Sequence, residues 1–188
     1  APGPGRTHGV VVDLGGREGA ATVVEAAIER FGGVDIVVAN VGASGAKTAQ
    51  LVDRAELETV LGKNLFPALE VTQAAYGQLS ARSGVVCVIA SIWGREAGGG
   101  PSYNIAKAAE ISMAKAMARD FAKDGVRVLS VAPGSTRFPG GSWERRVLED
   151  PDGMAEFVTR EIPGGRFGTV DEIADVVGAA VSSRHVGT

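Results

Sequence analysis

The chain has 188 residues, of which 45% are hydrophobic and 22% are charged, and its formal net charge is −3. This size and balance are typical of one globular domain and exclude a disordered or fibrous chain. Because the Lys and Arg residues are scattered and no apolar run approaches the roughly 20 residues of a membrane span, we expect neither a nucleic-acid nor a membrane partner.

Four short apolar runs rich in β-branched residues predict parallel strands that are buried on both faces. These runs cover residues 9–14, 34–39, 85–90 and 126–132. Segments of helical period alternate with them and cover residues 17–31, the stretch from Asp53 toward Ser80, residues 102–123, and a segment that begins at Thr169. This alternation predicts an α/β fold with a doubly wound, mostly parallel sheet.

Several helix ends carry local signals. Asp53 and Thr169 are each followed three residues later by a glutamate, Glu56 and Glu172, which is a capping-box pattern. Gly125 follows the third helical segment, where a glycine commonly terminates a helix.

Cysteine and histidine are too scarce to build a metal site. The single cysteine, Cys87, lies in an apolar run, and His8 and His185 lie near opposite ends of the chain. We therefore expect no metal and a buried, unreactive thiol, which suits a reducing cytoplasm. A serine hydrolase is also disfavoured, because no serine has the G-x-S-x-G context and Ser44, which comes closest, lacks the second glycine.

Polar residues and residues with special backbone preferences follow each predicted strand. They are Asp13, the run Asn40-Val41-Gly42, Ser91, and the pair Pro133-Gly134. In doubly wound sheets ligands bind at the carboxyl edge, where these residues would gather. Taken singly, each residue is better explained as the ordinary start of a loop than as a functional residue.

Tyr103 and Lys107 form the strongest local pattern. Because residues four apart share one face of a helix, the phenol and the ammonium can point into one cleft. Lowering the phenol pKa from about 10 by about three units costs roughly 4 kcal/mol, which a nearby cation in a low-dielectric cleft can supply. Tyr103 is therefore a candidate general acid/base.

With its neighbours, this pattern resembles the short-chain dehydrogenase/reductase family, and most closely its bacterial 3-oxoacyl-carrier-protein reductase type. The resemblance begins near Gly9 and extends to the end of the chain. It rests on ordered matches at Asp13, the run 39–42 (ANVG), Asn64, Ser91, Tyr103 with Lys107, and Pro133-Gly134. It implies a three-layer α/β/α, Rossmann-like sheet and hydride transfer between a nicotinamide cofactor, NAD or NADP, and a carbonyl or alcohol.

The resemblance also implies roles for individual residues. Its catalytic residues would be Asn64, Ser91, Tyr103 and Lys107. Its cofactor-binding residues would be Asp13, Leu14, Asn40, Val41, Gly42, Tyr103, Lys107, Pro133, Gly134 and Thr136. It further implies a small-molecule carbonyl or alcohol substrate, a homo-oligomer (dimer or tetramer) and a substrate lid at residues 135–168. For Asn64, a hydrogen bond to a neighbouring carbonyl is the structural alternative to a catalytic role.

The family's phosphate-binding motif, T-G-x-x-x-G-x-G, has no match here, and Gly15, Gly16 and Gly19 have the wrong spacing. We therefore expect residues 1–188 to be one partial domain, a sheet incomplete at both ends, with weak nucleotide binding by this segment alone. Segment 9–14 would either pair directly with segment 34–39 or leave an unpaired edge. A catalytically silent module that senses a dinucleotide, or one that mediates assembly, remains the alternative function.

Overall fold

The computed structural model describes residues 7–182, so His185 lies outside the described residues. The chain divides into two compact units, one ending at Ala132 and the other beginning at Pro133. Each unit is described separately below.

The first unit contains a three-stranded parallel sheet. Its strands are β1 (Ile36–Ala39), β2 (Val85–Ile89) and β3 (Arg127–Val131), in that spatial order. Val86 of β2 lies opposite Val37 on one side and Val128 on the other. Three of the four predicted strands and their parallel orientation are confirmed.

Three long helices pack beside this sheet: α1 (Arg17–Phe31), α2 (Arg54–Arg82) and α3 (Pro101–Phe121). Short 3₁₀ turns cover Ala49–Leu51, Ile92–Gly94 and Ala122–Asp124. The helices and strands share one apolar core, to which Val24, Leu79, Ala114, Val86 and Val128 belong. A parallel sheet flanked by helices confirms the α/β class predicted from the alternating pattern.

The helix ends follow the predicted signals with one exception. Gly32 ends α1 in the left-handed conformation (φ 82°), and Gly125 adopts the same region (φ 73°) after the turn that follows α3. Asp53 caps α2, because its carboxylate accepts a hydrogen bond of 2.8 Å from the backbone nitrogen of Glu56. The carboxylate of Glu56, however, binds Ala46 and Ser102 instead of completing a capping box.

The prediction of a strand at residues 9–14 is wrong. This segment forms no ladder with any described strand, and Val11 is fully exposed. A strand requires an adjacent strand to pair with its backbone N–H and C=O groups, and the composition of a segment does not show whether one lies beside it. Instead the segment passes against the first turn of α1, so closely that a Cβ on Gly19 would lie 1.8 Å from the carbonyl oxygen of Asp13. The outer edge of β1 pairs with no strand in the described part of the chain, as expected if segment 9–14 does not slide across.

The second unit consists of three helices and a short bridge. The helices are α4 (Ser142–Glu149), α5 (Pro151–Glu161) and α6 (Val170–Ser182), and Thr136 pairs with Gly168. Before α6 the predicted capping box is complete, because Thr169 and Glu172 each accept a hydrogen bond from the other's backbone nitrogen. Trp143, Phe157 and Phe167 stack in one aromatic cluster.

Within residues 7–182, no helix has the length and apolar character that crossing a membrane requires.

We predict that Leu79→Ala lowers the free energy of unfolding by about 2–5 kcal/mol, because the Leu79 side chain is fully buried in the core. Urea denaturation followed by circular dichroism measures this loss. Leu51→Ala is the control, since Leu51 is 63% exposed and its truncation should change the value by less than about 0.5 kcal/mol. Equal losses in both variants would contradict the proposed core.

Candidate active site

The loop after β1 approaches α2 and α3 at Gly42. A Cβ on Gly42 would lie 2.8 Å from Asn64 Oδ1 and 3.2 Å from Lys107 Nζ. Glycine is required here because even a methyl group would displace one of these two buried side chains. Gly42, Asn64 and Lys107, which the sequence placed on three separate elements, therefore lie together.

Helix α3 presents Tyr103 and Lys107 toward the end of β2. Lys107 Nζ lies 5.6 Å from the centroid of the Tyr103 ring. The Ser91 side chain, which follows β2, lowers the pKa of the Tyr103 phenol by hydrogen bonding. Ser91 also caps the next turn, because its Oγ accepts a hydrogen bond of 3.2 Å from the Trp93 backbone nitrogen. The phenol, the ammonium and the hydroxyl are thus brought into one site.

The Lys107 ammonium is buried in an ion pair that sequence reasoning did not identify. Its Nζ lies 3.0 Å from both carboxylate oxygens of Glu110 and 3.1 Å from the carbonyl oxygen of Ile89. Lys107 is 3% exposed and Glu110 is 1% exposed. The i,i+3 spacing to Lys107 was a usable signal for Glu110, because it places the carboxylate on the same buried helix face.

That Lys107 lowers the Tyr103 pKa stays a prediction, and three other influences on the phenol are resolved. Burial raises the pKa of the Tyr103 phenol, the hydrogen-bonding interaction with Ser91 lowers it, and the negative charge of Glu110 raises it. The Lys107 charge near the ring is itself paired with Glu110. Burial likewise raises the pKa of Glu110, and Lys107 lowers it.

Asn64 is fully buried in α2, and its amide is engaged by backbone groups. Its Nδ2 donates to the carbonyl oxygens of Ala43 at 2.9 Å and Val60 at 2.8 Å, while its Oδ1 accepts from the Ala43 nitrogen at 3.2 Å. Both amide hydrogens are therefore used, one on the loop after β1 and one on the Val60 carbonyl of α2 itself. The Asn64 amide thus bonds neighbouring carbonyl groups, which is the structural alternative to a catalytic role. Its catalytic role stays a prediction.

A second buried contact holds the same loop against the start of α3. The Glu56 carboxylate accepts hydrogen bonds from the Ala46 nitrogen and from Ser102 Oγ, the latter at 2.9 Å. Ser102 is fully buried and directly precedes Tyr103. The sequence analysis missed this contact because it assigned Glu56 to a local capping box.

The remaining predicted cofactor residues lie in loops. Asp13 is exposed, and its Oδ1 accepts a hydrogen bond of 2.8 Å from the Gly15 nitrogen. It borders an open depression of about 480 Å³ beside the first turn of α1, and Leu14 follows it. Asn40 and Val41 are exposed after β1. No contact among the described residues joins Asp13 to the four predicted catalytic residues, so its binding role stays a prediction.

Pro133, Gly134 and Thr136 belong to the second unit. Thr136 Oγ1 donates a hydrogen bond of 3.2 Å to the carbonyl oxygen of Gly134. The Gly168 nitrogen bonds the Ser135 carbonyl oxygen at 2.9 Å, which fixes this segment within its own unit. Cofactor binding by these residues stays a prediction.

Comparisons with known proteins agree on one family. A family model described as enoyl-(acyl carrier protein) reductase matches residues 2–187. The 3-oxoacyl-[acyl-carrier-protein] reductase of Thermotoga maritima is 28% identical over 176 residues, which cover 93% of this chain and 69% of that protein.

Solved structures give the same result. An oxidoreductase of the short-chain dehydrogenase/reductase family from Burkholderia thailandensis is 31% identical with a TM-score of 0.81, covering 93% of this chain and 66% of that one. L-Sorbose reductase from Gluconobacter frateurii, complexed with NADPH and L-sorbose, is 26% identical with a TM-score of 0.84, covering 93% and 70%. The predicted three-layer, Rossmann-like fold class is confirmed, and the chain spans about two thirds of the length of these relatives.

We predict that Gly42→Ala lowers the free energy of unfolding by about 1–3 kcal/mol, because its Cβ would collide with Asn64 Oδ1 and crowd Lys107 Nζ. Gly62→Ala is the matched control: nothing lies within 4 Å of a Cβ there, and alanine in a helix interior should stabilise the chain by up to about 1 kcal/mol. Chemical denaturation of both variants makes the comparison. A neutral Gly42→Ala would show that the loop after β1 does not approach these side chains.

Proposed function

The chain belongs to the short-chain dehydrogenase/reductase family, and on that premise we propose that it is an NAD(P)-dependent oxidoreductase that interconverts a carbonyl and a secondary alcohol by hydride transfer. The observation that carries this proposal is the arrangement of Ser91, Tyr103 and Lys107 beside the carboxyl end of β2. A phenol that faces both a hydroxyl and a buried ammonium is a group that can exchange a proton with a substrate oxygen.

The described residues fit the nicotinamide end of such a cofactor. Gly42 brings bare backbone against Asn64 and Lys107, where even a Cβ would collide with Asn64 Oδ1. When bound, the nicotinamide ring supplies or accepts the hydride. Asn40, Val41, Gly42, Tyr103 and Lys107 would hold the cofactor, and the family resemblance adds Asp13 and Leu14, together with Pro133, Gly134 and Thr136 of the second unit.

Proton transfer is the part of the reaction that these side chains would perform. In reduction, the Tyr103 hydroxyl donates its proton to the substrate oxygen, and in oxidation the phenolate takes that proton back. The Ser91 hydroxyl, which already interacts with the phenol, would hydrogen-bond the same oxygen and orient it. Lys107 would stabilise the phenolate by its charge, and Asn64 fixes the loop that faces the ammonium.

The classes of cofactor (NAD or NADP) and of substrate are inferred from the relatives and not from these residues. The L-sorbose reductase structure, which is complexed with NADPH, supports a nicotinamide dinucleotide. The 3-oxoacyl-[acyl-carrier-protein] reductase of Thermotoga maritima supports a 3-oxoacyl thioester, and L-sorbose reductase supports a sugar ketone. We propose a small carbonyl compound of one of these two classes as the substrate.

We propose that residues 135–168 form the substrate lid. An open cavity of about 710 Å³ lies within the second unit. Its wall includes apolar side chains such as Met154, Val158 and Phe167, and the guanidinium groups of Arg137 and Arg166. A concave apolar wall with a few charged groups is typical of small-molecule sites.

We predict that Tyr103→Phe lowers kcat by on the order of 10²–10⁴-fold while dinucleotide binding persists, because only the transferable proton is removed. Turnover is measured by NAD(P)H absorbance on a 3-oxoacyl thioester and on a sugar ketone, in the protein that carries this sequence. Tyr76→Phe is the matched control: its hydroxyl bonds Asp124, away from the site, so its kcat should stay within about two-fold. Dinucleotide binding without turnover in the unmodified protein would support the silent sensing module instead.

We also propose a homo-oligomer in the cytoplasm. Phe66 of α2 and Ile105 of α3 are large side chains that remain 39% and 46% exposed. Two long helices that pack together with such side chains outward offer a surface for a second copy. The free, buried thiol of Cys87 is compatible with a reducing compartment.

Light scattering should therefore give a dimer or tetramer mass, and Phe66→Glu should lower it, since a buried charge opposes association. Leu148→Glu, at a 72% exposed position on α4, is the control and should leave the mass unchanged. A monomer at every concentration would contradict the assembly.

A further inference from the structure

Glu110 is a buried carboxylate that the proton-transfer scheme does not use. Among the described residues, it and Lys107 are the charged side chains that lie in the interior of the protein. Glutamate and lysine are rarely buried unless they are paired, and here each is the partner of the other. The pair lies one helical turn beyond Tyr103.

The geometry of the pair limits what the ammonium can do. Lys107 Nζ has three N–H donors, and three acceptors lie within 3.1 Å: both Glu110 oxygens and the Ile89 carbonyl oxygen. The phenol ring lies farther away, with its centroid 5.6 Å from Nζ. The three donors of the ammonium are therefore committed to Glu110 and Ile89 rather than to Tyr103.

The charges around Tyr103 come from few elements. Helix α3 packs against β2, β3, α2 and the turn Ile92–Gly94. The polar and charged groups on or next to these elements include Lys107 and Glu110 on α3 itself, the Ser91 hydroxyl before the turn, Asn64 of α2, Glu56 of α2 on Ser102, the thiol of Cys87 on β2, and Arg127 on β3. Glu110 is the carboxylate that acts on the phenol by its charge.

We propose that Glu110 is a positioning residue that sets how much of the Lys107 charge reaches the Tyr103 phenol. This inference rests on the proposed function, because it gives Tyr103 and Lys107 their roles in proton transfer. Glu110 holds the ammonium against the end of β2, and its negative charge offsets the positive one at the phenol. Removing that negative charge releases the ammonium toward the ring.

The test is a titration that needs no turnover. The chain has two tyrosines, so in a Tyr76→Phe background Tyr103 is the sole tyrosine. Its ionisation is then followed by NMR of tyrosine labelled with ¹³C at Cζ, with circular dichroism to confirm that the chain is folded at each pH. Glu110→Gln keeps the shape of the side chain and removes its charge.

We expect Glu110→Gln to lower the Tyr103 pKa by roughly one pH unit, because a negative charge opposes formation of phenolate. Asp120→Asn is the matched control, since Asp120 lies at the C-terminal end of α3 and forms an i,i+3 ion pair with Lys123 on the surface. It should leave the Tyr103 pKa unchanged. An unchanged or higher Tyr103 pKa in folded Glu110→Gln would overturn the proposal and leave Glu110 a structural partner only.

Glu110→Gln leaves a buried ammonium without a carboxylate and could fail to fold. The double variant Lys107→Met with Glu110→Met removes both charges together and is expected to fold. If Glu110 offsets Lys107 at the phenol, the Tyr103 pKa in this variant stays within about half a pH unit of the parent. A rise of more than one unit would show that the Lys107 charge reaches Tyr103 despite Glu110, against the proposal.

The two proposals can fail separately. If the protein shows no dinucleotide turnover but Glu110→Gln lowers the Tyr103 pKa, the oxidoreductase function fails and the positioning of Lys107 stands. If turnover is present, Glu110→Gln should also move the acidic limb of the pH profile for alcohol oxidation to lower pH, because the phenolate then forms earlier. If turnover is present but Glu110→Gln shifts neither the acidic limb nor the Tyr103 pKa, the role of Glu110 is overturned and the oxidoreductase function stands.

Discussion

Burial of the Lys107 ammonium is the constraint on which the rest of this site depends. A charge removed from water requires partners close at hand, and an unpaired buried ion is destabilising by several kcal/mol. Glu110 and the Ile89 carbonyl oxygen meet that requirement from α3 and from β2. The hydrogen bond from the ammonium to Ile89 therefore joins the helix that carries Tyr103 to the strand that leads into Ser91.

Close backbone approaches supply the rest of the positioning. A Cβ on Gly94 would lie 2.7 Å from the Lys107 carbonyl oxygen, so the turn after Ser91 packs directly on α3. A Cβ on Gly100 would lie 2.1 Å from the Ala46 carbonyl oxygen, where Glu56 and Ser102 clamp the loop after β1. Close glycine contacts and the Glu56 carboxylate together hold the loop after β1 and the connection between β2 and α3 against α3.

Residues could be placed from the sequence where helix or strand geometry directly makes them neighbours. The four-residue interval between Tyr103 and Lys107 and the position of Ser91 after a buried strand translate directly into neighbours in space. Sequence reasoning failed where structure depends on a distant partner. Segment 9–14 has the composition of a strand but no described strand beside it, and Glu56 looks like a local cap although its carboxylate bonds Ala46 and Ser102, ten and forty-six residues away. Glu110 was missed because a helical glutamate is by default a solvated one.

Tyr103 shows that a nearby cation does not by itself determine the electrostatic effect on a phenol. A lysine four residues after a tyrosine was expected to favour phenolate, yet burial and Glu110 raise the phenol pKa while Ser91 lowers it. A charge acts on its neighbours net of the charges paired with it, and Lys107 is fully paired. Two chains that share the tyrosine, the lysine and the serine can therefore hold the phenol in different protonation states.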